Sequence, residues 1–130
     1  MKVLTIKQPY ASLIAYGIKK YEFRTWKTNY RGEVLIHAGK SVDKKAMEEF
    51  KVYDLDYPCG CIIAKVKITD VTLVTDEFRG KLEKENPLVY KHVIQDKNWQ
   101  GYGFKMEDVQ RIEPIYVKGK LGLWNYDLTK

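Results

Sequence analysis

Residues 61–74 carry the longest strand signal in the chain. Ala64, Val66 and Ile68 alternate with Lys65, Lys67 and Thr69. Successive side chains on a strand point to opposite faces, so this pattern buries one face and wets the other. It predicts a half-exposed sheet with its lysines outward. The alternation slips at Asp70 and Val71, where a bulge or bend is expected.

The other segments must be arranged around that sheet. Residues 3–8 alternate apolar and polar and read as a first strand. Pro9 ends it and suits the first turn of a helix. Tyr10, Leu13, Ile14, Gly17 and Ile18 then recur at three- and four-residue steps, the stripe of an amphipathic helix. Residues 33–38 form a second strand after Gly32. Asp43 suits the N-cap of a helix over residues 44–53, with Ala46, Met47 and Phe50 on its apolar face. Residues 76–95 are charged and irregular and predict short helices broken by Pro87. Residues 100–112 read as a strand pair interrupted near Glu107 and Asp108. Lys118-Gly119-Lys120 is a turn, and residues 121–126 are a last strand.

The order β-α-β-α, then mostly β, does not make a doubly wound sheet. It predicts an α+β fold with a strongly bent sheet that closes into a small barrel. The chain has 130 residues, enough for a single domain over 1–130 whose core needs no metal or disulfide staple.

Lys19, Glu22 and Arg24 place a cation, an anion and a planar cation within six residues. Lys19 and Glu22 share a face if the first helix runs on through them. Arg24 can swing back toward the pair from an extended segment. Such a cluster binds a phosphate or a polar base edge. It is also the pattern of a plain surface ion-pair network, which contributes only about 0–1 kcal/mol. Trp26 follows in a polar loop between Arg24 and Lys27, where an aromatic ring can stack on an unpaired base.

The charge distribution bears on the same segment. The net charge is +6, and residues 1–51 carry eleven Lys or Arg against five Asp or Glu. The remainder is balanced at twelve of each. A one-sided basic excess suits a polyanionic partner, and a lysine-rich soluble surface has the same composition. Cys59 and Cys61 are one residue apart, a spacing that strains a disulfide, so reduced thiols are expected. With His37 and His92 they match no standard zinc spacing, and neither a metal nor a cofactor is expected. No apolar run reaches the length of a membrane span or a signal sequence, so an intracellular, cytoplasmic protein without membrane attachment is expected.

Four stretches together resemble the ASCH domain family. They are Gln8-Pro9-Tyr10-Ala11-Ser12, Gly17-x-Lys19-x-x-Glu22-x-Arg24, Ile36-His37-Ala38-Gly39-Lys40 and the ending from Pro114 through Gly119-Lys120-Leu121-Gly122-Leu123-Trp124. The resemblance runs from Leu4 to Tyr126. It implies a PUA-like fold, a small β-barrel with helices packed against it and a cleft beside the first helix. It also implies a role around RNA or nucleic acid, in RNA processing or transcription coactivation. Carried over, the cleft would be lined by Lys19, Glu22 and Arg24, with Gln8 and Tyr10 at its mouth. Trp26 and Lys40 are further candidate ligand contacts.

Some ASCH-type proteins are hydrolases that deacylate acetylated cytidine. In those, a lysine at the position of Lys19 acts with a threonine at the position of Glu22 and a distant glutamate. Here the threonine position holds Glu22, a departure from that pattern, and other relatives are described as nucleases. The expectation is therefore a monomer that binds RNA or a nucleotide. The alternative is a hydrolase acting on a modified nucleoside of the N4-acetylcytidine type, or a ribonuclease, with Lys19 and Glu22 as its catalytic candidates. A hydrolase would need a third convergent group, for which His37, Lys40, Lys65 and Tyr102 are available. A partner-binding surface on residues 76–98 is a third reading.

Overall fold

In a computed structural model, which describes residues 1–129, six strands form one mixed sheet. In chain order the elements are β1 (Lys2–Gln8), α1 (Tyr10–Ala15), β2 (Tyr21–Arg24), β3 (Gly32–Val42), α2 (Lys44–Glu49) and β4 (Cys61–Leu73). α3 (Asp76–Glu85), α4 (Lys91–Gln95), β5 (Tyr102–Tyr116) and β6 (Leu123–Asn125) follow. The strand order across the sheet is β2-β5-β4-β3-β1-β6. β1 runs parallel to β3, and every other neighbouring pair is antiparallel.

The α+β class is as expected, but the ladder stays open rather than closing into a barrel. β2 and β1 are not hydrogen-bonded neighbours. Yet Arg24 at the end of β2 donates from Nη2 to the Thr5 carbonyl of β1 at 2.8 Å. Four steps of about 4.8 Å would hold these strands roughly 19 Å apart in a flat sheet. The sheet is therefore curled until a single side chain spans the gap.

The first helix is shorter than its apolar stripe predicts. It stops at Ala15, and Gly17 takes a left-handed φ of 74°. The Ile18 amide donates to the Leu13 carbonyl and the Gly17 amide to the Ile14 carbonyl, each at 2.9 Å. This is the paired Schellman closure, which satisfies carbonyls that a helix end would otherwise leave bare. Lys19 and Glu22 consequently do not share a helical face. Glu22 and Arg24 lie two apart on β2, so the period of a strand brings them to one side, and Lys19 reaches them from the preceding turn.

The second half of the chain holds both agreements and differences. Asp43 caps α2, its Oδ1 accepting the Ala46 amide at 3.0 Å. The expected slip at Asp70 is present as a register shift between Ile68 and Asp70. Residues 76–95 form α3 and α4 with Pro87 between them. The interruption expected near Glu107 and Asp108 does not split the strand. β5 is one 15-residue strand, and Asp108 is a bulge at φ 52° opposite Lys65 and Lys67. Absorbing the extra residue in a bulge lets β5 pair with both β4 and β2. The last strand is shorter than predicted, three residues rather than six.

Leu4, Ile6, Ile14, Ile36, Val66 and Phe104 anchor the main core, with α1 packed onto it. Phe78, Leu82, Val89 and Tyr90 form a second core under α3 and α4. Both cysteines are free thiols, and burial pushes the Cys61 thiol up. Among the described residues no helix is long and apolar enough to cross a membrane, and no group of side chains is arranged to hold a metal ion.

A side chain at Gly17 would meet no atom within 4 Å, so only the backbone opposes substitution. Gly17→Ala should lower the unfolding free energy by about 1–2 kcal/mol, the cost of a left-handed L-residue. Gly17→Asn should lose less, and urea titration of both variants compares them.

Candidate functional site

The gap bridged by Arg24 opens into a cavity of ≈ 500 Å³. Thr5, Ile6 and Lys7 of β1 line one side and Glu22, Phe23 and Arg24 of β2 the other. Tyr10 and Lys19 close the end beside α1. Trp26, Tyr90, His92, Val93 and Trp99 form the remaining wall.

Glu22 lies at the floor between two cations. Its Oε1 is 3.0 Å from Lys19 Nζ and its Oε2 2.9 Å from Arg24 Nη2. The Lys19 ammonium also donates to the Tyr21 carbonyl and lies 4.8 Å from the centre of the Phe23 ring. Lys19 is 4% exposed and Glu22 8%, so the cluster is buried and is not a solvated surface network. Burial pushes the Lys19 ammonium below the usual lysine range, and the Glu22 charge only partly offsets this. Burial pushes the Glu22 carboxyl the other way, but the charges of Lys19 and Arg24 outweigh it and hold the group below its ordinary value. Arg24 Nε is buried without a hydrogen-bond partner. Nη2 is spent on Glu22 and Thr5, and Nη1 of this partly exposed guanidinium has no protein acceptor among the described residues, which leaves a donor for the cavity.

The aromatic wall is built by packing. Phe23 meets Tyr90 and Trp99 edge to face, at 6.0 and 6.2 Å between ring centres. The Tyr90 hydroxyl accepts the Lys20 amide at 2.7 Å, tying this wall to the turn that carries Lys19. Trp26 packs edge to face on Phe104 at 5.2 Å and is half-buried, so it belongs to the core as well as to the cavity. Tyr10 faces Asp43, and burial, followed by the Asp43 charge, pushes its hydroxyl up to about 12. It stays a neutral donor.

Arg79, on α3, holds the outer part of this wall. It is 6% exposed and donates to three backbone carbonyls, Val93 at 2.9 Å, Asp96 at 3.3 Å and Trp99 at 2.7 Å. One buried side chain thereby fixes α4 and the loop that presents Trp99.

Not every expected site residue is in the cavity. Lys19, Glu22, Arg24, Tyr10 and Trp26 line it together. Gln8 does not reach its mouth. It is fully buried, donating to the Ser12 hydroxyl and the Pro58 carbonyl at 2.8 Å each and accepting the Ser12 amide at 3.0 Å. Its polar atoms are spent fastening α1 to the 56–58 loop. Lys40 lines a separate hollow. None of the four suggested third groups enters the cavity. His37 faces Val117, Lys65 pairs with Glu33 at 3.1 Å, and Tyr102 lies on β5 opposite Leu73. Sequence reading missed Tyr90, His92 and Trp99, which stand in the segment where no periodicity marks a buried side.

The sequence matches the ASCH domain over residues 4–115. The chain belongs to the ASCH domain family. Activating signal cointegrator 1 of Homo sapiens is 30% identical over 104 residues, covering 67% of this chain and 18% of that protein. The Mus musculus protein of that name is 34% identical over 79 residues, 52% of this chain and 14% of its own length. This ASCH chain therefore spans less than a fifth of the relatives it matches. ASCH from Zymomonas mobilis superposes with a TM-score of 0.66 at 14% identity, covering 98% of this chain and 88% of that one. A tyrosine-to-phenylalanine mutant of the Zymomonas mobilis protein superposes at 0.62 and 17% identity, over 88% and 74%. At such identities the agreement is one of fold.

The buried cluster makes two predictions. Glu22→Ala leaves Lys19 and Arg24 without their counter-charge and should cost about 3–5 kcal/mol. A Lys19→Met/Glu22→Leu/Arg24→Met triple variant, which removes every charge of the cluster, should recover much of that loss, as chemical denaturation can test. Because Glu22 is held below its ordinary pKa, the unfolded chain binds its proton first as pH falls. Its stabilising share is complete above about pH 4.5 and disappears as pH falls through the folded value. In Glu22→Gln the fall in melting temperature between about pH 5 and about pH 3 should therefore be shallower than in the parent.

Proposed function

We propose that this ASCH domain binds single-stranded RNA, taking an unpaired base into the cavity beside α1. The observation that carries the reading is the combination of one buried, charge-ordered floor with aromatic walls. Arg24 keeps Nη1 without a protein acceptor, and Glu22, though paired on both oxygens, retains acceptor capacity on each. A base edge offers donors and acceptors together, and a base face stacks on rings such as Trp99. A volume of ≈ 500 Å³ is within the range of small-ligand pockets. The basic excess of residues 1–51 would draw the strand in. Relatives named Activating signal cointegrator 1 are consistent with a domain that works beside transcription or RNA.

A hydrolase reading is weaker on the same geometry. A carboxylate flanked by two cations is a poor proton acceptor, so Glu22 suits recognition better than general-base chemistry.

The test is titration of the protein with a short single-stranded RNA and with N4-acetylcytidine, reading tryptophan fluorescence and then the mass of each ligand. Saturable binding with both ligands intact is the expected result. Trp99→Ala should weaken RNA binding by about 1–3 kcal/mol, the value of one base stack. Arg24→Ala should weaken it as well. Equal affinity in both variants would reject the cavity as the binding site, and loss of the acetyl group or strand cleavage would establish catalysis instead.

A further inference from the structure

On the other side of β1 lies a second hollow of ≈ 530 Å³, and Thr5 and Lys7 line both. Its remaining lining includes His37, Lys40, Lys118, Gly119 and Lys120, and no Asp or Glu. The four lysines are exposed, and none has an ion-pair partner among the described residues. This contrasts with β4, where Lys65 and Lys67 pair with Glu33 and Asp108.

The floor is built. His37 is 1% exposed, and its Nε2 donates to the Val117 carbonyl at 2.6 Å, holding the 117–121 segment against β3. Its other nitrogen, Nδ1, is buried without a partner. A Cβ at Gly119 would lie 2.9 Å from that atom, so only glycine lets the chain pass this close. The segment it forms is neither helix nor strand, and the amides of residues 118–121 donate to no carbonyl or side chain among the described residues. Four exposed lysines in one concavity with no acidic side chain, beside a segment whose amides have no protein acceptor, are the features of an anion site.

We propose that this hollow is a phosphate subsite for the RNA strand whose base enters the first cavity, the two sites being joined across Thr5 and Lys7. The inference rests on the RNA-binding reading of that cavity and adds a direction to it. The strand leaves the cavity over Lys7, and its next phosphates sit between Lys40 and the Lys118–Lys120 segment. A phosphodiester strand is then bound more tightly than a free nucleoside, which reaches the first cavity alone.

The test uses a Lys40→Ala/Lys118→Ala/Lys120→Ala variant, whose replaced side chains are exposed, with a thermal melt to verify folding. The probes are a short single-stranded RNA, an abasic phosphodiester strand of the same length, and cytidine. The variant should bind both strands about tenfold or more weakly. The slope of log affinity against log salt should fall by about 2, roughly 0.7 for each phosphate no longer neutralised. Its affinity for cytidine should not change. Unchanged affinity and salt slope for the abasic strand would overturn the proposal, as would a parent protein that binds neither strand. If Arg24→Ala leaves RNA binding intact while the lysine variant still loses the abasic strand, the cavity reading fails and the phosphate subsite stands.

Discussion

Arg24 joins two strands whose backbones do not meet. With one Nη it holds both the Glu22 carboxylate and the Thr5 carbonyl, at 2.9 and 2.8 Å. The curl of the sheet, the position of the cavity and the charge at its floor all meet at this contact. A closed ladder would fill the gap with backbone hydrogen bonds and leave no room for a ligand. A flat sheet would leave Arg24 in solvent, where an ion pair is worth little. The open, curled form lies between these limits and lets a charged cluster be both buried and reachable.

Burial of that cluster has an energetic cost. Two cations and one anion are removed from water, and their mutual attraction only partly offsets the desolvation. The opposing influences on Lys19 and Glu22 express this balance. Burial disfavours both charges; the two cations beside Glu22 outweigh it, whereas the single carboxylate beside Lys19 does not. Stability alone would be served as well by apolar residues of similar volume. Keeping ions there is easier to understand if they meet a polar ligand, which is the physical basis of the binding reading.

The sequence showed some of this and hid the rest for identifiable reasons. The alternation in β4 and the cap at Asp43 are local signals, and both appear in the structure where the residues place them. Lys19, Glu22 and Arg24 were legible as a cluster, though not its scaffold, because the apolar stripe continues to Ile18 while Gly17 has already ended the helix. Gln8 was carried over as a ligand contact from the family resemblance, but a buried amide that fastens a loop has the same letter. Barrel closure depends on whether two edges find each other after the whole sheet is built, which no local pattern encodes. The wall of Tyr90, His92 and Trp99 was least legible of all. Its placement depends on Arg79, a charged residue in a charged helix, whose burial has no signature in its surroundings.

The manner in which Arg79 holds that wall has a consequence for how such a domain can diversify. Its three acceptors in that wall are main-chain carbonyls, and every residue type supplies one. Side chains from Val93 to Trp99 can therefore be exchanged without loosening the segment, provided the arginine is kept. Across descendants of one ancestor, the wall facing the ligand can drift in shape and polarity while the charged floor beneath it stays in place. Novelty in what is bound would then accumulate on one side of the cavity only.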